Sequence, residues 1–243
     1  MFLVRFSAML FLTCAASHAG WAIEETTKYA GGDIFVSRAS IDSNRYKTQS
    51  NGEALIINLK NGTIYFVHDR KKSYYGGSLT TVINALNGAK MSEMSGEDIL
   101  ADTHPLIDEN EPAVTVIKTG EKLNQAGFNA EKYQVLSSGE LRKELFLAQK
   151  ITVNSEIDSR ALAEVMLHLS GVNNPNPQKF IELSDEYVNL LKNGYPIRTL
   201  EYDPSGDLIL TEVTAAAKQT FTNDDFLPPK EYKKLTTAEF LEQ

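Results

Sequence analysis

The sequence contains very little cysteine. Cys14 is the single cysteine among 243 residues, and it lies in a segment that we expect to be removed. The remaining chain would then have no disulfide, thiolate zinc site, iron–sulfur cluster or cysteine nucleophile. A domain of about 220 residues buries roughly seven-tenths of the surface of its unfolded chain, so it needs no cross-link to fold.

The chain also lacks an excess of positive charge. It has 24 Lys and Arg against 32 Asp and Glu, a net charge of −8 at pH 7. The basic residues form no cluster or stripe. This pattern argues against nucleic acid as a partner and against electrostatic docking on an anionic membrane.

Motifs of metal and enzyme sites are absent as well. His68, His104 and His168 are not linked by the HExxH or His-x-His spacings that bind zinc. The sequence has no G-x-S-x-G, no S-x-x-K and no glycine-rich phosphate loop. Its many acidic residues include no pair that stands out as glycosidase carboxylates. We therefore expect no metal, no cofactor and no catalytic residues, that is, a protein that is not an enzyme.

The N-terminal segment has the three parts of a secretory signal peptide. Arg5 supplies the positive charge, residues 6–16 form a short apolar run, and Ser17 and Ala19 fit the cleavage site. The run is too short to span a bilayer permanently. We predict a signal peptide over residues 1–22, cleaved near Ala19 or Ala22, and one periplasmic domain over residues 23–243. Lipidation of Cys14 is an alternative, disfavoured because Thr13 replaces the usual small residue.

The rest of the chain alternates short apolar runs with turn residues. Asn61-Gly62 between two such runs predicts a β-hairpin. In the run 63–68 both faces are largely apolar, since successive side chains of a strand point to opposite sides. We therefore expect a sheet that is covered on both sides. The predicted strands are residues 33–37, 45–49, 54–59, 63–68, 113–119, 131–136, 140–148, 196–202 and 208–216.

Three segments have helical features. After Ser78 the apolar residues recur with helical spacing and extend towards two methionines. Ser155 and Asp158 have the spacing of a capping box before a second helix that runs to Leu169. Ser184 is a candidate N-cap for a third, shorter helix. Strands and helices together predict the α+β class.

Three stretches resemble a known family: EALIINLKNGTIYFVHDRKKSYY (53–75), KTGEKLNQAGFNAEKYQVLSSGELRKELFLA (118–148) and NGYPIRTLEYDPSGDLILTEVTAAAKQTFTNDDFLPP (193–229). The chain is similar to a family of exported bacterial domains related in fold to the outer-membrane lipoprotein carriers of the LolA/LolB/LppX type. Ala130 stands where that family usually has cysteine, so its disulfide is absent. The resemblance implies a strongly curved antiparallel sheet, a half-barrel wrapped around helices. In the carriers, the hollow between sheet and helices is apolar and accepts acyl chains.

The resemblance and the apolar stripes together suggest a ligand site. We predict a non-enzymatic binding protein that shelters a lipid or an acylated lipoprotein in the hollow. The same residues would equally serve a filled core, and the sequence does not separate the two. The predicted lining residues are Leu79, Val82, Ile83, Leu86, Met91, Met94, Tyr65 and Phe66.

The alternative function is a cell-envelope module for protein–protein interaction, with the same fold and a filled core. Its candidate contacts with an envelope protein are the acidic run 95–112, which lacks the pattern of a calcium loop, and the proline-rich segment 172–178. In neither hypothesis does the chain span a membrane.

Overall fold

A computed structural model describes residues 19–93, 113–169, 181–202 and 207–242. Four α-helices lie in these ranges: α1 (Leu79–Glu93), α2 (Ser159–Leu169), α3 (Asp185–Leu191) and α4 (Thr237–Leu241). Short 3₁₀ turns occupy Val153–Ser155 and Asp224–Phe226. The strands are β1 (Ala19–Lys28), β2 (Ile34–Asp42), β3 (Arg45–Ser50), β4 (Glu53–Asn58), β5 (Thr63–His68), β6 (Ser73–Ser78), β7 (Val114–Gln125), β8 (Phe128–Ser137), β9 (Glu140–Ala148), β10 (Tyr195–Tyr202), β11 (Leu208–Thr220) and β12 (Lys233–Lys234).

All twelve strands belong to one sheet, in the order β12-β6-β5-β4-β3-β2-β1-β11-β10-β9-β8-β7. Two antiparallel meanders, β1–β6 and β7–β11, are joined where β1 pairs with β11. The short β12 adds to β6 in parallel. Because β12 and β7 are separate edges, the sheet is not closed into a barrel. The α+β class is confirmed.

The predicted hairpin at Asn61-Gly62, and a β2–β3 hairpin that was not predicted, form because their turn residues adopt the backbone that tight turns require. Gly62 has a φ of +60° in the β4–β5 turn, after which Thr63 pairs with Asn58. Ser43 and Asn44 both have positive φ between β2 and β3, as in the type I′ turns that match the twist of paired strands.

Strands β4 and β5 are covered on both faces, as predicted. Ile64 and Phe66 of β5 belong to an apolar cluster that includes Val82 of α1. Tyr65 and Val67 belong to a second cluster built around Phe226, which the 3₁₀ turn 224–226 brings to the opposite face. The C-terminal segment thus provides the outer cover that the sequence pattern requires.

The start of α2 corrects one prediction. Ser155 does not form a capping box; its hydroxyl donates to the carbonyl of Thr152 within the 3₁₀ turn. The side chain of Asp158 accepts from the backbone N–H of Ala161 and caps α2. Ser184 does cap α3, accepting from the N–H of Tyr187, as predicted.

Three elements are absent from the sequence prediction: β1, β6 and α4. The first residues of β1 are the small residues assigned to the cleavage site, and β6 contains Gly76 and Gly77, which weaken any strand pattern. The run 95–112, the segment 172–178 and most of the turn 203–207 lie outside the described residues.

Candidate ligand-binding cleft

The predicted site residues do not all meet. Leu79, Val82 and Leu86 of α1 pack with Phe66 in one cluster. Tyr65 points to the opposite face of the sheet, where its ring meets that of Tyr74 at 6.1 Å. Ile83 is partly buried in α1. Met91 lies in α1, but its side chain is not described, and Met94 lies outside the described residues.

The cluster around α1 is filled by other parts of the chain. Val82 is only 2% exposed. The ring of Phe240, from α4, stacks on Tyr75 at 4.6 Å and lies 5.4 Å from Phe66. A concavity of about 370 Å³ does open beside Phe66 and Phe240, but none of the predicted α1 residues lines it.

A different concavity lies between the sheet and helices α2 and α3. We call it the α2–α3 cleft. Its volume is about 300 Å³, at the lower end of the range of small-molecule sites. Its lining is mostly apolar and comes from β2, β3, α2, α3 and β10, including Ile41, Tyr46, Ile157, Leu162, Ala163, Met166, Tyr187, Val188, Leu191 and Tyr195.

The cleft opens into a wider polar hollow, which we call the mouth. The mouth has a volume of about 600 Å³ and shares Asn154, Ile157, Ser159 and Val188 with the cleft. Its other lining residues are polar or charged, with both signs represented: Ser43, Asn44, Ser155, Glu156, Asp158, Arg160 and Lys192. An apolar interior with a polar entrance is the shape that suits an amphiphile.

The turn between β2 and β3 fixes the mouth. Asn44 donates its backbone N–H to the carbonyl of Glu156 at 2.6 Å, and its side-chain oxygen accepts from the N–H of Asp158 at 2.9 Å. Across the mouth, Arg160 of α2 pairs with Asp185 of α3. The bonds of Asn44 tie the start of α2 to the β2–β3 turn.

A partly buried carboxyl lies at the wall of the cleft. Glu25 of β1 accepts a hydrogen bond of 2.7 Å from the hydroxyl of Tyr195, which lines the cleft. Burial raises the pKa of Glu25, and the bond from Tyr195 offsets only part of that rise. Burial, together with the charge of Glu25, raises the pKa of Tyr46 to about 12 and that of Tyr195 well above its usual value.

A buried lysine lies on the α3 side. Lys143 of β9 is 1% exposed, and its Nζ lies 2.8 Å from Glu182 and 3.1 Å from Glu201. It also lies over the ring of Tyr187 at 5.5 Å. Burial alone would lower the pKa of Lys143, but the carboxylates outweigh it and raise that pKa above its usual value. This cluster ties the segment before α3 to the sheet.

The sequence analysis missed Glu25, Tyr46, Tyr195 and Lys143. Their partners are far along the chain, as with the 170 residues between Glu25 and Tyr195. The sequence contains only a weak indication of Glu25 as a site residue: two acidic residues, Glu24 and Glu25, follow a short apolar segment.

Within the described residues, no group of three or more His, Cys, Asp or Glu side chains is arranged to hold a metal ion. None of the helices in the described part of the chain combines the length and the hydropathy that a membrane span requires.

Comparisons with known proteins give structural neighbours only. No protein-family model and no curated protein matches the chain. A complex of MucB with MucA(peri) aligns over 90% of this chain and 58% of the matched chain, at 13% identity and a TM-score of 0.43. The Pseudomonas aeruginosa MucA/MucB complex aligns over 90% and 59%, at 11% identity and a TM-score of 0.44.

A LolA superfamily protein from Nitrosomonas europaea is also similar, over 87% of this chain and 91% of that chain, at 7% identity and a TM-score of 0.31. The superfamily of the sequence resemblance is thus among the neighbours. The chain spans less than two thirds of the matched chains in the MucB complexes. With every TM-score below 0.5, these neighbours do not decide what the chain binds.

Proposed function

We propose that the chain is a non-enzymatic, periplasmic binding protein that holds one apolar chain of a lipid or acylated protein in the α2–α3 cleft. The observation that carries this proposal is the apolar cleft of about 300 Å³ that opens into a polar mouth. The signal-peptide pattern of residues 1–22 supports export.

The size of the cleft limits the ligand. A cavity of about 150 Å³ accommodates benzene, so the cleft has room for roughly twice as many carbons, about twelve. Burial contributes about 0.8 kcal/mol per CH₂. Ten methylenes therefore contribute about 8 kcal/mol before the entropic cost of association, enough for binding without any chemical step.

We also propose that the sheet curves around the helices as a half-barrel. Helix α1 packs on β6, α2 lies between α1 and α3, and α3 packs on β7 at the other end of the sheet. In a flat sheet, the ten strand spacings from β6 to β7 would extend about 48 Å. When three helices pack side by side, the axes of the two outer helices are only about 20 Å apart. Because α1 and α3 pack on opposite ends of the sheet, these two ends must approach each other.

The test is mass spectrometry of lipids extracted from protein purified natively from the periplasm. Ala163 lines the cleft, so we expect Ala163→Trp to fill it. Ala215 is exposed on β11 and gives the matched control Ala215→Trp. We expect about one lipid per chain in the wild type and the control, and none in a folded Ala163→Trp protein. Equal lipid content in both variants would contradict the proposal.

An envelope interaction module is the second candidate, favoured by the tip of the β1–β2 hairpin. Ile34, Phe35 and Val36 are 43–61% exposed, and Tyr29 packs edge-on against Phe35. Large exposed apolar clusters commonly mark interaction sites. If this tip carries the function, Ile34→Ser/Val36→Ser should abolish cross-linking to an envelope protein and leave lipid content unchanged.

A further inference from the structure

In the described part of the chain, the lining of the α2–α3 cleft offers a ligand aromatic rings and no positive charge. It includes the carboxylate of Glu182 and the rings of Tyr46, Tyr187 and Tyr195. Among the described residues that line it, none is Lys, Arg or His. Aromatic faces attract cations and repel anions, and rings that surround a site are a common means of binding ammonium groups.

Glu25 adds a second negative group behind this wall. Its carboxyl oxygen Oε1 accepts from the hydroxyl of Tyr195 at 2.7 Å. Within the described part of the chain no Lys or Arg forms an ion pair with it. Glu25 is partly buried; a carboxylate that loses much of its hydration without gaining a cation is destabilising, and acids of this kind occur often at functional sites. A positively charged ligand group in the cleft would remove that cost.

The other charges near the cleft do not cancel this preference. Glu182 is already paired with Lys143, which lies behind Tyr187, so Glu25 is the uncompensated group. At the mouth, Arg160 and Lys192 are balanced by Glu156 and Asp158. Beyond the cleft, the net charge of −8 attracts cations in general.

We infer that the α2–α3 cleft selects amphiphiles with an ammonium group, which lies among Tyr46, Tyr187 and Tyr195 and is neutralised by Glu25. This inference rests on the proposed function, because it assumes that the cleft holds an apolar chain. It adds the chemical class of the ligand's polar group. The ammonium belongs either to a simple alkyl amine or to a zwitterionic lipid headgroup.

The experiment compares four twelve-carbon probes by calorimetry, dodecanol below its solubility limit and the others below their critical micelle concentrations: dodecyltrimethylammonium, dodecylphosphocholine, dodecanol and dodecanoate. We expect the wild type to bind the trimethylammonium probe about tenfold more tightly than dodecanol, as one or two cation–aromatic contacts allow. Dodecanoate should bind most weakly. Dodecylphosphocholine binding as tightly as the simple cation would identify a zwitterionic headgroup; weaker binding would identify a simple amine.

Glu25→Gln should reduce the preference for the cation from about tenfold to about threefold, the part that one cation–aromatic contact supplies, and change dodecanol binding less than twofold. The matched control is Glu24→Gln, since Glu24 is the exposed neighbour on the same strand; it should behave as the wild type. Equal binding of the cation and dodecanoate by the wild type, or a preference kept in full in Glu25→Gln, would overturn this inference alone. Absence of binding by all four probes would overturn the proposed function as well.

Discussion

Two charged groups of the sheet, the buried Lys143 and the partly buried Glu25, differ in how the surrounding residues compensate them. Lys143 has two carboxylates within 3.1 Å, whereas Glu25 has a single tyrosine hydroxyl. A buried ion is tolerated when opposite charges and hydrogen bonds replace its hydration. Lys143 therefore has a structural explanation within the fold, and Glu25 does not.

Lys143→Met should destabilise the protein by about 2 kcal/mol. Breaking a fully buried pair costs more, about 3–5 kcal/mol, but Glu182 and Glu201 are partly exposed here and water can solvate them again. Urea unfolding measures the difference. Lys233→Met, which breaks the surface pair with Glu239, is the control and should change the free energy of unfolding much less, because water screens an exposed pair. Equal effects of the two substitutions would contradict the assignment.

Glu25→Gln should stabilise the protein at pH 7, and the gain should disappear as the pH falls. The pKa of Glu25 is raised in the folded protein. The contribution of Glu25 to stability is therefore fully present when the pH is below the pKa that Glu25 has in the unfolded chain. That contribution is lost as the pH rises through the pKa that Glu25 has in the folded protein. Melting temperatures of wild type and variant between pH 4 and 8 test this. A difference that does not change with pH would show that Glu25 ionises normally.

The position and contacts of a single residue could be predicted from the sequence when its partners are near in the chain. The alternation in residues 63–68 was enough to assign Ile64 and Val67 to opposite faces. The pairing of Glu25 with Tyr195, and of Lys143 with Glu201, depends on strands that meet only in the folded sheet. No local pattern records such a contact.

Among the elements, β6 depends on a single glycine. A Cβ on Gly76 would lie 2.2 Å from the carbonyl oxygen of Ile64 on β5, whereas a Cβ on Gly77 would meet nothing within 4 Å. Gly76→Ala should therefore destabilise the protein by at least about 3 kcal/mol, because backbone atoms must move. Gly77→Ala should be close to neutral. Denaturant midpoints compare the two, and similar midpoints would contradict the close approach of β5 and β6.

Helix α1 shows what periodicity does and does not predict. The spacing of Leu79, Val82 and Leu86 correctly indicated an amphipathic helix with an apolar face against the sheet. Periodicity does not specify what that face meets. Here that face packs in one cluster with Phe240, which lies about 150 residues away in the chain. The α2–α3 cleft has no comparable sequence signal, since five separate elements form it.

At the scale of the whole molecule, the position of β1 bears on where the signal peptide ends. Trp21 and Ile23 are buried in the largest apolar cluster, and Lys218 lies 4.8 Å above the Trp21 ring. We expect cleavage after Ala19, because cleavage after Ala22 would remove Trp21 from the core. N-terminal sequencing of the exported protein should begin at Gly20. A sequence that begins at Ile23 would contradict this expectation.

The pairing of β1 with β11, which joins the two meanders, has a consequence for the order of folding. Strand β1 lies between β2, its neighbour in the chain, and β11, so that Gly20 pairs with Gln219, 199 residues away in the chain. Contacts so distant in sequence form slowly, because the loop must close before they contribute. Each meander can assemble from local hairpins, but the central register is settled only once the end of the chain is available. A ribosome or a translocation channel delivers the chain from its N-terminus. One edge of β1 therefore stays unpaired until β11, the last long strand, has been delivered.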